Sequence, residues 1–248
     1  MSSGSAEHCL ESIDVLVLAG GLGTRVRAVL GDTPKLLAPV AGKPYLAHLL
    51  GWLRRFGARR VVFALGFGAR AVVDYLGGHR VDGLAVETVI EPGPLGTGGA
   101  LRFARHALRT DPVMVMNGDS FVDADLCGFL AHHLQAGASA SLLCTEVEDT
   151  GRYGRVVIDE GGRIQAFLEK NPAHRGTGAV SAGVYLLSAR LLDEIAVGAA
   201  ASLEKDVFER LPPGTLAAHV GRYRFIDIGT PDSLANAAQV LAHPAGHR

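Results

Sequence analysis

Short apolar runs alternate with helical patterns through the first 145 or so residues, and that alternation limits the folds open to the chain. Val15-Leu16-Val17-Leu18-Ala19 is a continuous apolar run that stops at Gly20-Gly21, the pattern of a strand buried on both faces and feeding a loop. A helical pattern follows: Pro44 suits a first turn, Leu46, Leu49, Leu50, Leu53 and Phe56 recur at helical spacing, and Gly57 can end it. Strands are then expected at Val61 to Leu65, Leu84 to Ile90, Val113 to Met116 and Ser139 to Cys144. Helices are expected at Ala69 to Leu76, Gly99 to Leu108, and from a cap at Asp123 to about Gln135. Such alternation implies an α/β fold, a mostly parallel sheet with helices on both faces. Ligands of such sheets bind beyond the carboxyl ends of the strands. Gly20-Gly21 and Asn117-Gly118-Asp119 both fall at such ends and point to one cleft.

The second half is more mixed. Arg155 to Ile158 and Ile164 to Phe167 flank the turn Glu160-Gly161-Gly162 as a hairpin. Val184 to Leu187 and Arg224 to Asp227 read as strands, and Ala189 to Ile195, Leu203 to Arg210 and Pro231 to Leu241 as helices. Neither a linker nor an internal repeat breaks the chain. The expectation is one domain over 1–248, with a small β-rich elaboration on the substrate side and flexible tails at 1–13 and 243–248.

Composition removes several classes. The 248 residues carry a net charge of −1, without the basic excess that phosphate-backbone binding needs, so nucleic acid is not an expected partner. No apolar run reaches the roughly 20 residues that span a bilayer, and the polar start lacks a signal-peptide pattern. A cytoplasmic protein without membrane partners is expected. Cys9, Cys127 and Cys144 are odd in number and far apart, which argues against a disulfide framework and a zinc site. His132-His133 reads as part of a helix surface rather than a ligand pair.

The chemistry concentrates in a few segments. Leu18-Ala19-Gly20-Gly21-Leu22-Gly23-Thr24-Arg25 places glycines directly after a buried strand, where backbone N–H groups can approach phosphate oxygens. A tight strand-to-helix turn would use the same glycines, but Arg25 and Pro34-Lys35 add two cations suited to a polyphosphate. The spacing matches neither the dinucleotide fingerprint nor the Walker loop.

Gly-Gly-Leu-Gly-Thr-Arg, followed by Pro34-Lys35 and Pro39-Val40-Ala41-Gly42-Lys43-Pro44, resembles the signature of the sugar-1-phosphate nucleotidylyltransferases. These enzymes join a sugar 1-phosphate to a nucleoside triphosphate and release pyrophosphate. The resemblance runs from Val15 to Leu241. It implies the Rossmann-like sheet of the nucleotide-diphospho-sugar transferases and a set of roles. Leu18, Ala19, Gly20, Gly21, Gly23, Thr24, Gly96, Thr97, Gly98, Asn117 and Gly118 would bind nucleotide. Tyr153, Gly154, Glu169, Lys170, Ser181 and Gly183 would bind the sugar. Asp119 and Asp227 would hold Mg²⁺, Arg25 the leaving pyrophosphate, Lys35 the reacting phosphates and Lys170 the incoming sugar phosphate.

The reaction is consistent with these residue types. Two anionic partners must be brought together, so positive charge and alignment are needed, while the nucleophile is already ionised and requires no strong base. Mg²⁺ needs few protein ligands when phosphates and water supply the rest.

The run Arg25-Val26-Arg27-Ala28-Val29-Leu30-Gly31-Asp32-Thr33-Pro34-Lys35 departs from the Arg-Leu-x-Pro-Leu-Thr pattern common in thymidylyl- and glucose-type members. With Tyr153-Gly154-Arg155-Val156 and Ser202-Leu203-Glu204-Lys205-Asp206, it is closer to the heptose 1-phosphate guanylyltransferase branch. GTP and D-glycero-α-D-manno-heptose 1-phosphate are the implied substrates. Guanine needs an acceptor for N1–H and its amine, from Glu91 or from carbonyls near Pro94 and Leu95. Mannose guanylyl-, muramate-type uridylyl- and glucose thymidylyl-transfer are the alternatives within the family, and an inactive sugar-nucleotide sensor the alternative outside enzymes. The family also makes a homodimer an expectation.

Overall fold

The computed structural model describes residues 8–169 and 176–241. In chain order its strands are β1 (Val15–Ala19), β2 (Pro39–Val40), β3 (Lys43–Pro44), β4 (Arg60–Leu65), β5 (Ala85–Ile90), β6 (Val113–Asn117), β7 (Ser120–Val122), β8 (Ala140–Val147), β9 (Arg155–Ile158), β10 (Ile164–Leu168), β11 (Gly178–Leu187), β12 (Leu216–Gly221) and β13 (Phe225–Asp227). Its helices are α1 (Arg27–Leu30), α2 (Tyr45–Arg55), α3 (Ala69–Gly78), α4 (Gly96–Ala104), α5 (Leu126–Ala136), α6 (Ala189–Val197) and α7 (Pro231–Leu241).

The centre of the sheet is parallel, in the order β5-β4-β1-β6. Its apolar runs are continuous because both faces are covered. Val15 and Val17 join a core with residues of α2, α3, α5 and α7, while Leu16 and Leu18 join a second core with α4, α6 and Phe208. Beyond β6 the sheet turns antiparallel through β11, which also pairs with β8, and β12 lies parallel on the outside of β8. The β9–β10 hairpin attaches to the first part of β11. This side is the β-rich elaboration.

Four local expectations are corrected. The cap of α5 is Asp125, whose side chain accepts from Cys127 N–H at 2.9 Å; Asp123 is buried and pairs with Arg224 at 2.8 Å. Leu203 to Arg210 is helical but not an α-helix: a π-helical turn (Leu203–Val207) runs into a 3-10 turn (Phe208–Arg210), with Glu204 bonded inward to Tyr185. Residues 8–13 are not a loose tail: Leu10 is buried and its N–H donates to the Phe56 carbonyl at 3.0 Å. Cys9 and Cys127 form a disulfide, which fastens this segment to the start of α5; their wide separation in sequence hid the pairing. Cys144 is free and buried in the second core.

Candidate active site

The parallel strands deliver their loops to one edge of the sheet. β1 ends at Ala19 and β6 at Asn117, and Gly118 N–H donates to the Leu18 carbonyl at 2.8 Å, so the two loops leave side by side. From there the chain departs toward β4 on one side and β11 on the other, the kind of switch point where α/β sheets form ligand crevices. A cavity of about 370 Å³ opens at this point. Of the residues given roles from the sequence, Leu18, Ala19, Gly20, Gly21, Lys35, Glu91, Gly96, Thr97, Asn117, Gly118 and Asp119 line it; Leu22, Pro34, Pro94 and Leu95 are additional walls.

One wall is set by a close approach. A Cβ on Gly20 would collide with the Glu91 carboxylate, so glycine lets the β1 loop pass this side chain where it now stands. Glu91 is 7% exposed, and its Oε1 has no hydrogen-bond partner among the described residues. Burial raises its carboxyl pKa, with the Leu95 N–H opposing. Gly20→Ala is expected to displace Glu91 and weaken nucleotide binding by about tenfold, measured as KM against an unchanged thermal midpoint.

A second cluster lies at the mouth of the cavity. β13 pairs antiparallel with β7, placing Asp227 opposite Ser120, and Ile228 N–H donates to the Asp119 carbonyl at 2.8 Å. The two carboxylates are thereby held together. Burial raises the pKa of Asp227, the charge of Asp119 raises it further, and the Gly229 N–H, Lys35 and Arg25 oppose. Lys35 Nζ pairs with Asp119 at 2.7 Å, and the Arg25 guanidinium lies 3.1 Å from where a Cβ on Gly229 would sit. Behind them the buried Tyr45 hydroxyl donates to the Ser120 carbonyl at 2.7 Å. Asp119 and Asp227 are the residues that could hold a divalent metal; among the described residues no group of three or more His, Cys, Asp or Glu side chains is gathered for one.

Other assigned residues lie elsewhere. Thr24 and Arg25 are exposed and outside the cavity lining, and Gly23 packs over the Lys35 stem. Gly98 is buried at the start of α4. Thr97 borders the cavity, but its hydroxyl turns to Glu204 and the Leu203 N–H rather than toward a ligand. Tyr153 meets Phe225 edge-on at 5.8 Å, and neither it nor Gly154 lines the cavity. Ser181 accepts from Gly183 N–H at 3.2 Å. Gly183 has φ +72° at the register shift of β11, and a Cβ there would stand 2.8 Å from Asn117 Nδ2. Glu169 pairs with Lys205 at 2.5 Å. Lys170 lies outside the described residues. Tyr185 and Glu204, which carried no site role in the sequence, meet beside the cavity wall, the tyrosine hydroxyl donating to the carboxylate at 2.7 Å.

A glycine loop at the switch point of a parallel sheet, with paired carboxylates and cations at its mouth, defines a nucleotide-handling α/β enzyme. The sequence pattern of the Nucleotidyl transferase family matches residues 14–243, and the chain belongs to that family. It is 34% identical over 246 residues to the mannose-1-phosphate guanylyltransferase of Mycobacterium tuberculosis, covering 95% of this chain and 68% of that protein. It is 30% identical over 232 residues to the D-glycero-alpha-D-manno-heptose 1-phosphate guanylyltransferase of Aneurinibacillus thermoaerophilus, covering 93% and 99%. The crystal structure of HddC from Yersinia pseudotuberculosis superposes with a TM-score of 0.82 at 33% identity, covering 92% and 98%; the same protein complexed with GMP-PN gives 0.81. No helix among the described residues is long and apolar enough to cross a membrane.

Proposed function

We propose that this enzyme transfers the guanylyl group of GTP to D-glycero-α-D-manno-heptose 1-phosphate. A phosphate oxygen of the sugar attacks the α-phosphorus, the bond to the β-phosphate oxygen breaks, and pyrophosphate leaves. The observation that carries the base assignment is the buried Glu91 carboxylate in the cavity wall, with acceptor capacity left over. Guanine alone among the common bases offers adjacent N1–H and amine donors, and one carboxylate can accept both.

The Gly20-Gly21 loop offers backbone N–H groups to the phosphates, and Lys35 and Arg25 supply positive charge near the reacting and leaving groups. Asp119 and Asp227 would hold Mg²⁺. Hard oxygen donors suit that ion, and the mutual repulsion of the two carboxylates is what a divalent cation relieves. Bound there, Mg²⁺ would neutralise phosphate charge as it develops. Lys170 is assigned to the sugar phosphate by motif order alone.

The heptose relative is matched over nearly its whole length, which supports heptose as the sugar. A second reading, mannose 1-phosphate, is favoured by the 34% identity to the mycobacterial enzyme. A turnover panel decides between them: GTP, UTP, dTTP, CTP and ATP against heptose, mannose, glucose and N-acetylated sugar 1-phosphates, with pyrophosphate release as readout. Heptose with GTP is expected to give the largest kcat/KM. Preference for UTP with an N-acetylated sugar would overturn the reading, and binding without pyrophosphate release from any pair would make the protein a sensor.

A cytoplasmic homodimer completes the reading. Cell fractionation and light scattering test the two parts. The Cys9–Cys127 bond is uncommon in a reducing compartment, so free-thiol counting on protein taken directly from cytosol is the sharper check of location.

A further inference from the structure

The segment Ser202-Leu203-Glu204-Lys205-Asp206 has no part in the chemistry above, yet each of its polar side chains is committed. Asp206 accepts from the N–H groups of Ala201 and Ser202, both at 2.9 Å, and Ser202 Oγ accepts from Lys205 N–H at 3.1 Å. Lys205 reaches Glu169, an exposed pair that contributes little to stability. Glu204 turns inward. Its Oε1 accepts from the buried Tyr185 hydroxyl at 2.7 Å, and its Oε2 accepts from Thr97 Oγ1 and Ser202 Oγ, each at 3.2 Å.

These bonds have a direction. Thr97 Oγ1 already accepts from Leu203 N–H at 2.8 Å, so its one proton goes to Glu204. The Tyr185 hydroxyl likewise donates its proton to Glu204. Every neighbour is a donor, and only a group that accepts at both atoms satisfies them. The two partners belong to different elements, Thr97 to α4 and Tyr185 to β11. Thr97 belongs to the cavity wall, tied further by Gly98 N–H to the Ala201 carbonyl at 2.9 Å; Tyr185 stands on β11, which pairs with β6, the strand that ends at Asn117.

We propose that Glu204 is a positioning residue for the nucleotide: its carboxylate fixes the spacing between the wall at Thr97 and the sheet at Tyr185 and Asn117. It touches no reacting atom. The inference rests on the cavity being the nucleotide site, as proposed above.

Glu204→Gln tests it at constant shape. The amide keeps one acceptor and turns a donor toward O–H groups whose protons already point at it, so one of the two links, to the wall or to the sheet, is lost. KM for GTP is expected to rise about tenfold while kcat changes by less than about threefold, with the thermal midpoint held. Thr97→Val removes the link to the wall together with the acceptor of Leu203 N–H and should give at least the same rise, Thr97→Ser keeps both bonds and should not, and Glu204→Gln combined with Thr97→Val should be less than additive. If Glu204→Gln misfolds, the Thr97→Val and Thr97→Ser pair carries the test. An unchanged KM in folded Glu204→Gln or in Thr97→Val, or a fully additive double variant, overturns the proposal. Wild-type protein that binds UTP instead of GTP overturns the base assignment only, and the same ratios are then read with UTP. Wild-type protein that binds no triphosphate overturns the nucleotide site itself, and with it the positioning role.

Discussion

Glu91→Gln is expected to lower kcat/KM for GTP by about 10²- to 10³-fold and to raise that for UTP. One carboxylate oxygen becomes an N–H donor, so one charge-assisted bond to guanine is lost and a buried donor meets a donor. Uracil presents N3–H beside a carbonyl, which a carboxamide can match with one acceptor and one donor. Competition between GTP and UTP in one reaction reads the reversal directly. Because burial raises the Glu91 pKa, the charged form needed by guanine is lost on acidification at a higher pH than for an ordinary glutamate. KM for GTP should therefore climb as pH falls toward the acid range, and this limb should vanish in Glu91→Gln. A variant that keeps its GTP preference would return Glu91 to the status of a loop residue and leave base reading to the carbonyls near Pro94 and Leu95.

The other large effect is expected at the paired carboxylates. Asp119→Asn and Asp227→Asn should each lower kcat by about 10³-fold or more, since several kcal/mol of charge stabilisation would go with the metal. Stability should not follow activity at Asp227. Its folded pKa is raised, so whatever it contributes to stability is present only in acid, below its unfolded value, and is lost as pH rises through the folded one. In metal-free protein at neutral pH its charge costs stability, and Asp227→Asn, measured with chelator present, should keep or raise the thermal midpoint. A parallel fall in both quantities would mark the residue as structural.

Local pattern explains what could be read from the chain beforehand. β1, β4 and β6 stand out because burial on both faces demands unbroken apolar runs, and the loops at Gly20-Gly21 and Asn117-Gly118-Asp119 are visible where those runs stop. β12 was missed: Leu216–Gly221 is an outer strand that puts His219 and Gly221 among its apolar residues, which dilutes any period. Leu203 and Phe208 anchor the segment expected to be a regular helix, but Glu204 is bonded to Thr97 and Tyr185, elements distant in the chain, and spacing cannot show the π-helical turn that results. The choice between Asp123 and Asp125 as cap depended on Arg224, far away in sequence, which takes Asp123. The same holds in the site. Glu91 and Asp119 sit at strand ends and were legible, whereas the inward turn of Thr97 depends on a partner more than a hundred residues away.

The ribbon of β7 and β13 has a consequence for assembly of the enzyme. Asp119 follows a central strand, but Asp227 arrives with one of the final elements of the described chain, and their adjacency exists only once the two short strands have paired. A nascent chain can thus complete its nucleotide crevice while still lacking half of its acidic pair. On the metal role proposed for Asp227, synthesis of β13 and of α7 behind it, rather than of the crevice, is then the event that makes the polypeptide competent to react.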